Sequence, residues 1–326
     1  MLNDKQGENR MNHSHISFPG GVWPVMLTPF TPNNEVDYPA LRALVEWYIS
    51  QGVSGLFAVC QSSEMFFLTE RERAAVARAV VEYAAGRVPV IASGHVSESL
   101  TEQAAEIRAV HETGVDAVIL ITNRLARPNE SDEIWLDNLQ KLLDMLPKEI
   151  KLGFYECPYP YKRVLSRKMA AFCAQTGRFY FLKDTSCDMN SILEKLEVLK
   201  NTPMQLYNAN TATLLPSLEA GAAGYSGVMA NMQCNLYVRL CTAFKTEPED
   251  MAALSDALTL CALIERQCYP VNAKYYLSRL GLPIALRCRT KNEAELTDTF
   301  RAEMEMLRRF TERLECQYGQ SGGKKA

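Results

Sequence analysis

No apolar run in the sequence approaches 18 residues, which excludes a membrane-spanning helix and with it a membrane partner. No C-x-x-C pair is present. There are only four histidines, and just two of them, His95 and His111, lie beyond residue 17. They are sixteen apart with no further ligand at metal spacing, so no metal site is expected. Neither a G-x-G-x-x-G loop nor a Walker pattern occurs, which removes the usual nucleotide-binding folds. Basic blocks are also missing: 35 Lys and Arg stand against 38 Asp and Glu, a net charge of −3, so nucleic acid is not expected as a partner.

The 326 residues are 47% hydrophobic and 22% charged, enough for a large core without disulfides or metals. Ten cysteines are scattered, several within apolar patterns, as expected of reduced core residues in a cytoplasmic protein. The first 17 residues are polar and are read as a disordered extension. Residues 317–326, ending in QSGGKKA, are read as a flexible tail.

Between these ends, eight apolar runs alternate with helical patterns. The runs are 22–30, 55–60, 89–94, 117–122, 151–157, 178–184, 204–209 and 224–230. Most are continuously apolar rather than alternating, the signature of parallel strands buried on both faces. Leu41, Leu44, Val45, Tyr48 and Ile49 form one helical stripe. Thr69-x-x-Glu72 and Ser99-x-x-Glu102 read as capping boxes opening two more helices. Gly52, Gly114 and Gly221 each close a helix just before an apolar strand, a weak internal repeat. Eight β-then-α units in a row predict an α/β fold, a (β/α)8 TIM barrel over 18–247. After it the pattern turns purely helical, which predicts a C-terminal helical appendage over 248–316 with Cys261 and Cys268 in its core.

Barrel active sites lie at the C-terminal ends of the strands. Lys183 sits there, directly after the apolar Phe179–Leu182. An ordinary lysine, with a pKa of about 10.4, is almost wholly protonated at neutral pH; burial in a barrel mouth frees its lone pair for attack on a carbonyl. The competing reading pairs Lys183 with Asp184 as structure. Tyr155, ending strand five, is placed to move a proton, or else to pack as a core aromatic. Ser62 and Ser63, after strand two and Gln61, are candidates to donate to a substrate carboxylate, with loop and helix capping as the commoner alternative. Asn208 at the end of strand seven, and Ser226 and Gly227 at the end of strand eight, complete the substrate-binding candidates.

Several pieces together resemble the dihydrodipicolinate synthase/N-acetylneuraminate lyase family of class I aldolases. They are Thr28-Pro29-Phe30, Glu35-Val36-Asp37, the stretch Phe66 to Arg73, Tyr155-x-x-Pro158, Lys183-Asp184-Thr185-Ser186 twenty-eight residues beyond Tyr155, and Tyr269-Pro270 with Lys274 and Gly281. The resemblance spans about 19–312. It implies that Lys183 forms a Schiff base with pyruvate or another 2-oxo acid, and that Tyr155 relays protons with Ser62 as neighbour. It implies that the 61–62 pair holds the carboxylate. It further implies a cytoplasmic homotetramer, a dimer of dimers, with no metal or organic cofactor.

Departures from the family pattern bear on the second substrate. The loop reads Cys60-Gln61-Ser62-Ser63-Glu64 where the family commonly has Gly-Thr-Thr-Gly-Glu. The synthase branch has a second relay tyrosine where this chain has Leu125, and a carboxylate-binding arginine where it has Pro160. The expected function is therefore a lyase or aldolase that cleaves or condenses a pyruvate-type 2-oxo acid with an aldehyde, such as a 2-oxo-3-deoxy sugar acid would release. Synthase activity and a non-catalytic 2-oxo acid binder are the alternatives. Arg124, Tyr159, Tyr161 and Asn208 are positioned to line the second half of the site. A phosphate-binding barrel of unrelated chemistry is disfavoured, because the loops after strands seven and eight lack a Gly-rich anion nest.

Overall fold

The computed structural model describes residues 18–319; the expectations for 1–17 and for the last seven residues of the tail lie outside the described residues. Eight strands run β1 (Gly21–Val22), β2 (Leu56–Phe57), β3 (Val90–Ala92), β4 (Ala117–Ile121), β5 (Leu152–Tyr155), β6 (Phe179–Asp184), β7 (Gln205–Asn208) and β8 (Gly224–Tyr225). The helices between and after them are α1 (Tyr38–Ser50), α2 (Glu70–Ala84), α3 (Leu100–His111), α4 (Asp132–Asp144), α5 (Arg167–Gln175), α6 (Met189–Leu199), α7 (Leu214–Glu219) and α8 (Cys234–Ala243). Beyond these come α9 (Pro248–Cys261), α10 (Val271–Arg279) and α11 (Asp298–Tyr318).

All strand pairs are parallel, in the order β1-β8-β7-β6-β5-β4-β3-β2. The two ends meet. Ser54 N–H donates to Val22 O at 2.9 Å, Phe57 N–H to Pro24 O at 3.1 Å and Met26 N–H to Phe57 O at 3.0 Å, closing a (β/α)8 barrel. The strands are shorter than the apolar runs that announced them. Pro24 has no N–H and ends the β1 ladder, although its carbonyl still accepts from Phe57. The end of the last run, Val228–Asn231, is a 3-10 turn.

Inside the barrel Trp23, Phe57, Phe181 and Tyr207 pack as one aromatic layer, Phe181 stacking on Tyr207 at 4.2 Å between centroids. Each ring buries a large apolar area, so this layer anchors the barrel and forms the floor of whatever lies above it. The capping box at α2 is made in full, with Thr69 and Glu72 bonding reciprocally; Ser99 makes no side-chain cap at α3. Gly52, Gly114 and Gly221 have φ of 83°, 91° and 107°, the left-handed turn that reverses each helix into its strand.

The C-terminal helices share the barrel's core. Leu254, Leu258, Leu277, Met304 and Leu307 belong to the same buried cluster as the strand residues. Cys261 joins that cluster, but Cys268 does not. It packs in a small separate group with Val271, Cys288 and Leu296, so the expected pairing of the two cysteines in one core is corrected. The last helix also runs two residues past 316, to Tyr318, because Leu314 is still buried and holds the final turns down. All ten cysteines are free. Among the described residues no helix is long and apolar enough to cross a membrane.

Candidate active site

Residues two apart on a strand share a face. Phe181 points into the barrel, so Lys183 also points inward, one layer above it. The β5–β6 register sets Tyr155 directly beside Lys183. The Lys183 ammonium lies 4.2 Å from the centre of the Tyr155 ring, and both side chains are buried. The residues that follow them, Glu156 and Asp184, point outward. Both are taken by Lys195 of α6, at 2.6 and 2.5 Å, with all three side chains within 1% of fully buried. Lys183 thus has no ion pair with Asp184. The buried cation that balances Asp184 is Lys195, and the nucleophile candidate is left free of a carboxylate.

This separation has an electrostatic consequence. Burial lowers the Lys183 pKa to about 8, against the opposing influence of Cys60, Cys157 and Glu265. At pH 7 roughly a tenth of the amine is then neutral, against well under a thousandth for an ordinary lysine. The Tyr155 phenol is pushed well above its usual range by burial, so it is a proton donor in the resting site. Glu156 is pushed up to about 7 by burial and by Asp184 beside it, against the pull of Lys195.

A cavity of about 410 Å³ opens above Tyr155, and Gln61 and Ser62 both line it. The loop that carries them is tied down from beneath. Glu64, at φ 62°, sends a fully buried carboxylate to Lys274 of α10 at 2.9 Å and accepts the Arg289 and Thr290 N–H groups at 2.5 and 2.8 Å. The C-terminal helices therefore position the active-site loop directly. Gln61 accepts the Cys157 thiol at 3.4 Å.

Other candidates are placed elsewhere. Ser63 is fully buried, and its one hydroxyl proton is shared between the Met26 and Ala58 carbonyls, 2.7 and 2.9 Å away, while the oxygen accepts the Cys60 N–H. Its own N–H is used by Cys60 O at 3.1 Å. It folds the loop and does not face the cavity. Asn208 spends its side chain on Thr213, Ser217 and the Asn210 N–H, which fixes the turn between β7 and α7. Neither residue has a group left for substrate, which corrects the expectation for both. The Ser226 hydroxyl is buried and has no protein partner. Gly227 is needed for space: a Cβ there would lie 2.3 Å from the Tyr225 hydroxyl and 2.5 Å from Ala209 O. His95 is buried, accepts the Ile121 N–H at 3.2 Å, and is held neutral with a pKa of about 3, chiefly by burial. Of the second-half candidates, Tyr159 lines the cavity, whereas Arg124 and Tyr161 line a neighbouring one together with Leu125 and Pro160.

The sequence did not single out Tyr269 for a role, though it is part of a quoted motif. Its side chain lines the same cavity, beside Ser62. Asn231 donates to its oxygen at 3.0 Å and also to Val25 O at 3.0 Å, while accepting the Tyr48 hydroxyl. The amide is thereby fixed as donor to Tyr269, so the phenol's own proton is left to point towards Ser62 and the cavity. Ser62 and Tyr269 are 207 residues apart, and no local pattern links them.

The model of the Dihydrodipicolinate synthetase family matches residues 18–305. The chain is 32% identical over 268 residues to a 4-hydroxy-tetrahydrodipicolinate synthase of Ruegeria pomeroyi, covering 80% of this chain and 89% of that one. It is 28% identical over 299 residues to the enzyme of the same name from Acidithiobacillus ferrooxidans, covering 91% and 99%. Among solved structures, the chloride-inhibited dihydrodipicolinate synthase of Acinetobacter baumannii complexed with pyruvate superposes with a TM-score of 0.80 at 22% identity, covering 91% of this chain and 99% of that one. The Thermotoga maritima dihydrodipicolinate synthase gives 0.81 at 18% identity, covering 90% and 99%. At such identities these structures speak for the fold. With the family match over most of its length and the barrel that carries it, the chain belongs to the dihydrodipicolinate synthetase family.

Proposed function

We propose that this protein is a class I aldolase or lyase that joins a pyruvate-type 2-oxo acid to an aldehyde, or cleaves the product of that union, through a Schiff base on Lys183. The observation that carries this reading is a buried, unpaired lysine against the face of a buried tyrosine, with the nearby carboxylates neutralised by a different lysine.

The chemistry follows from those positions. Neutral Lys183 Nζ attacks the ketone carbon of the 2-oxo acid. Tyr155 gives a proton to the carbinolamine oxygen, which leaves as water. The resulting iminium withdraws electrons, so C3 gives a proton back to the Tyr155 phenolate and becomes an enamine nucleophile. The enamine adds to the aldehyde carbon, and the new alkoxide takes a proton from Tyr155; cleavage runs the same steps backwards. The hydroxyls of Ser62 and Tyr269, and the amide of Gln61, are the polar groups on the cavity wall suited to the 2-oxo acid carboxylate. The account uses no metal or organic cofactor.

Synthase activity of the kind for which the curated relatives are named is the second reading, favoured by the 32% identity to one of them. Leu125 and Pro160 weigh against it, since neither supplies the polar group that the family pattern has there. A cytoplasmic homotetramer is the assembly and location that membership of the family favours; light scattering on the purified protein tests the assembly. The function itself is tested by following [3-1H]pyruvate in D2O by NMR. Enamine formation exchanges the methyl protons, and Lys183→Ala abolishes the exchange. A protein that binds pyruvate without exchanging its protons is a non-catalytic relative.

A further inference from the structure

Above Tyr155 the cavity wall is made of Phe66, Phe67, Pro158, Tyr159, Val228 and Pro270. Phe66 and Tyr159 meet edge to face at 4.8 Å between centroids, so the two rings form one rigid corner. The Arg124 guanidinium braces Phe66 from the neighbouring cavity, 5.7 Å from the ring centre. This is the half of the site left to the aldehyde, because Tyr155 lines the same cavity and Lys183 packs against the Tyr155 ring without itself reaching the cavity wall.

Among the described residues that line this cavity the one cation is Lys291; Arg124, which has no ion pair there, lines the neighbouring cavity instead. Two charged residues border it. The Glu64 carboxylate is consumed by Lys274, Arg289 N–H and Thr290, and would repel an anion. Lys291 is at the rim, half exposed and paired with Glu295 at 3.3 Å. Pro160, where the family pattern has a carboxylate-binding arginine, borders the neighbouring cavity instead. A carboxylate or phosphate pressed against the Phe66–Tyr159 corner would lose its water and gain no counter-charge, which is strongly unfavourable. With Gln61, Ser62 and Tyr269 assigned to the 2-oxo acid, a sugar-like chain is left with the Thr290 hydroxyl, the Tyr159 phenol and Lys291 as its polar partners. An aryl or alkyl body, by contrast, gains contact with rings already held in place.

We propose that the aldehyde half of this site takes an uncharged aldehyde with an aromatic or similarly sized apolar body, in place of a sugar-derived or carboxylate-bearing one. The proposal rests on the aldolase reading above. The enamine C3 forms a bond to the aldehyde carbon, the carbonyl π pair moves to oxygen, and that oxygen is protonated by Tyr155. Water then releases the 4-hydroxy-2-oxo acid from Lys183, with no oxidant or reductant involved.

The test is a set of pyruvate condensations with the full-length protein, comparing benzaldehyde with glycolaldehyde, glyceraldehyde and aspartate semialdehyde by product mass and initial rate. Benzaldehyde is expected to exceed the other three in kcat/KM by roughly 10-fold or more. Phe66→Ala and, separately, the more exposed Tyr159→Ala are each expected to lower the benzaldehyde-to-glycolaldehyde ratio by about 10-fold. A higher kcat/KM for glyceraldehyde or the semialdehyde overturns the proposal, as does an unchanged ratio in both variants. Methyl exchange by the wild type with no benzaldehyde product overturns the proposal alone and leaves the aldolase reading standing. Absence of methyl exchange overturns both.

Discussion

Replacing Lys195 with Met tests the idea that one buried cation frees another. Lys195 is 1% exposed and holds Glu156 and Asp184 at 2.6 and 2.5 Å. Removing it leaves two buried carboxylates side by side, a change that costs about 3–5 kcal/mol when a buried pair loses one partner. At about 2 °C per kcal/mol for a chain of this size, the melting temperature should fall by roughly 6–10 °C at pH 8. The pH dependence is the sharper half of the prediction. Glu156 already has a folded-state pKa raised to about 7, above its ordinary 4.5. A raised carboxyl contributes stability that is complete below its unfolded value and is lost as pH rises through its folded value. Without Lys195 that folded value climbs further, so one carboxyl takes a proton at pH 5.5 and bonds to its neighbour. The deficit of Lys195→Met should therefore shrink between pH 8 and pH 5.5. Calorimetric melts at one fixed protein concentration measure this, since any self-association would make the midpoint depend on concentration. A deficit that stays constant across that range, or a variant as stable as wild type at pH 8, would refute the reasoning.

Three further outcomes are expected. The rate of Schiff-base formation with saturating pyruvate should rise with pH and level off above about 8, the value to which burial brings Lys183; a profile still rising steeply past pH 9.5 would show an ordinary lysine. Tyr155→Phe should lower kcat by about 100-fold or more, the usual contribution of a positioned proton donor, while pyruvate can still be trapped on the enzyme. Tyr269→Phe, which removes one hydroxyl beside Ser62, should raise the pyruvate KM about 3- to 10-fold and change kcat less, the worth of one hydrogen bond. Equal falls in kcat and kcat/KM would move Tyr269 into the proton-transfer steps.

How far the sequence reached depended on the kind of signal. The barrel was legible because eight continuous apolar runs alternate with helix stripes, a repeat that favours a closed barrel over an open, doubly wound sheet. Lys183 and Tyr155 could be picked out as candidates because strand ends fall at the barrel mouth, and the family resemblance with its twenty-eight-residue spacing set them above the other strand-end residues; their pairing across β5 and β6 came only with the structure. Ser63 and Asn208 were misjudged for a common reason. Both are short polar residues at the tip of a strand, where a hydroxyl or amide can turn outward to substrate or inward to cap the loop, and one rotamer separates the two outcomes. Tyr269 was missed because its place beside Ser62 arises only when the C-terminal segment folds back over the barrel mouth. Strand lengths were overestimated where Pro24 and the 3-10 turn at Val228–Asn231 end the ladder but not the apolar run.

The central claim is that Lys183 is the nucleophile. Incubation of the wild-type protein with pyruvate and borohydride, followed by intact mass and peptide mapping, tests it most directly. One reduced pyruvate per chain, carried by the peptide containing Lys183 and absent from Lys183→Ala, is the predicted result. No adduct, or an adduct on any other lysine, would contradict the account.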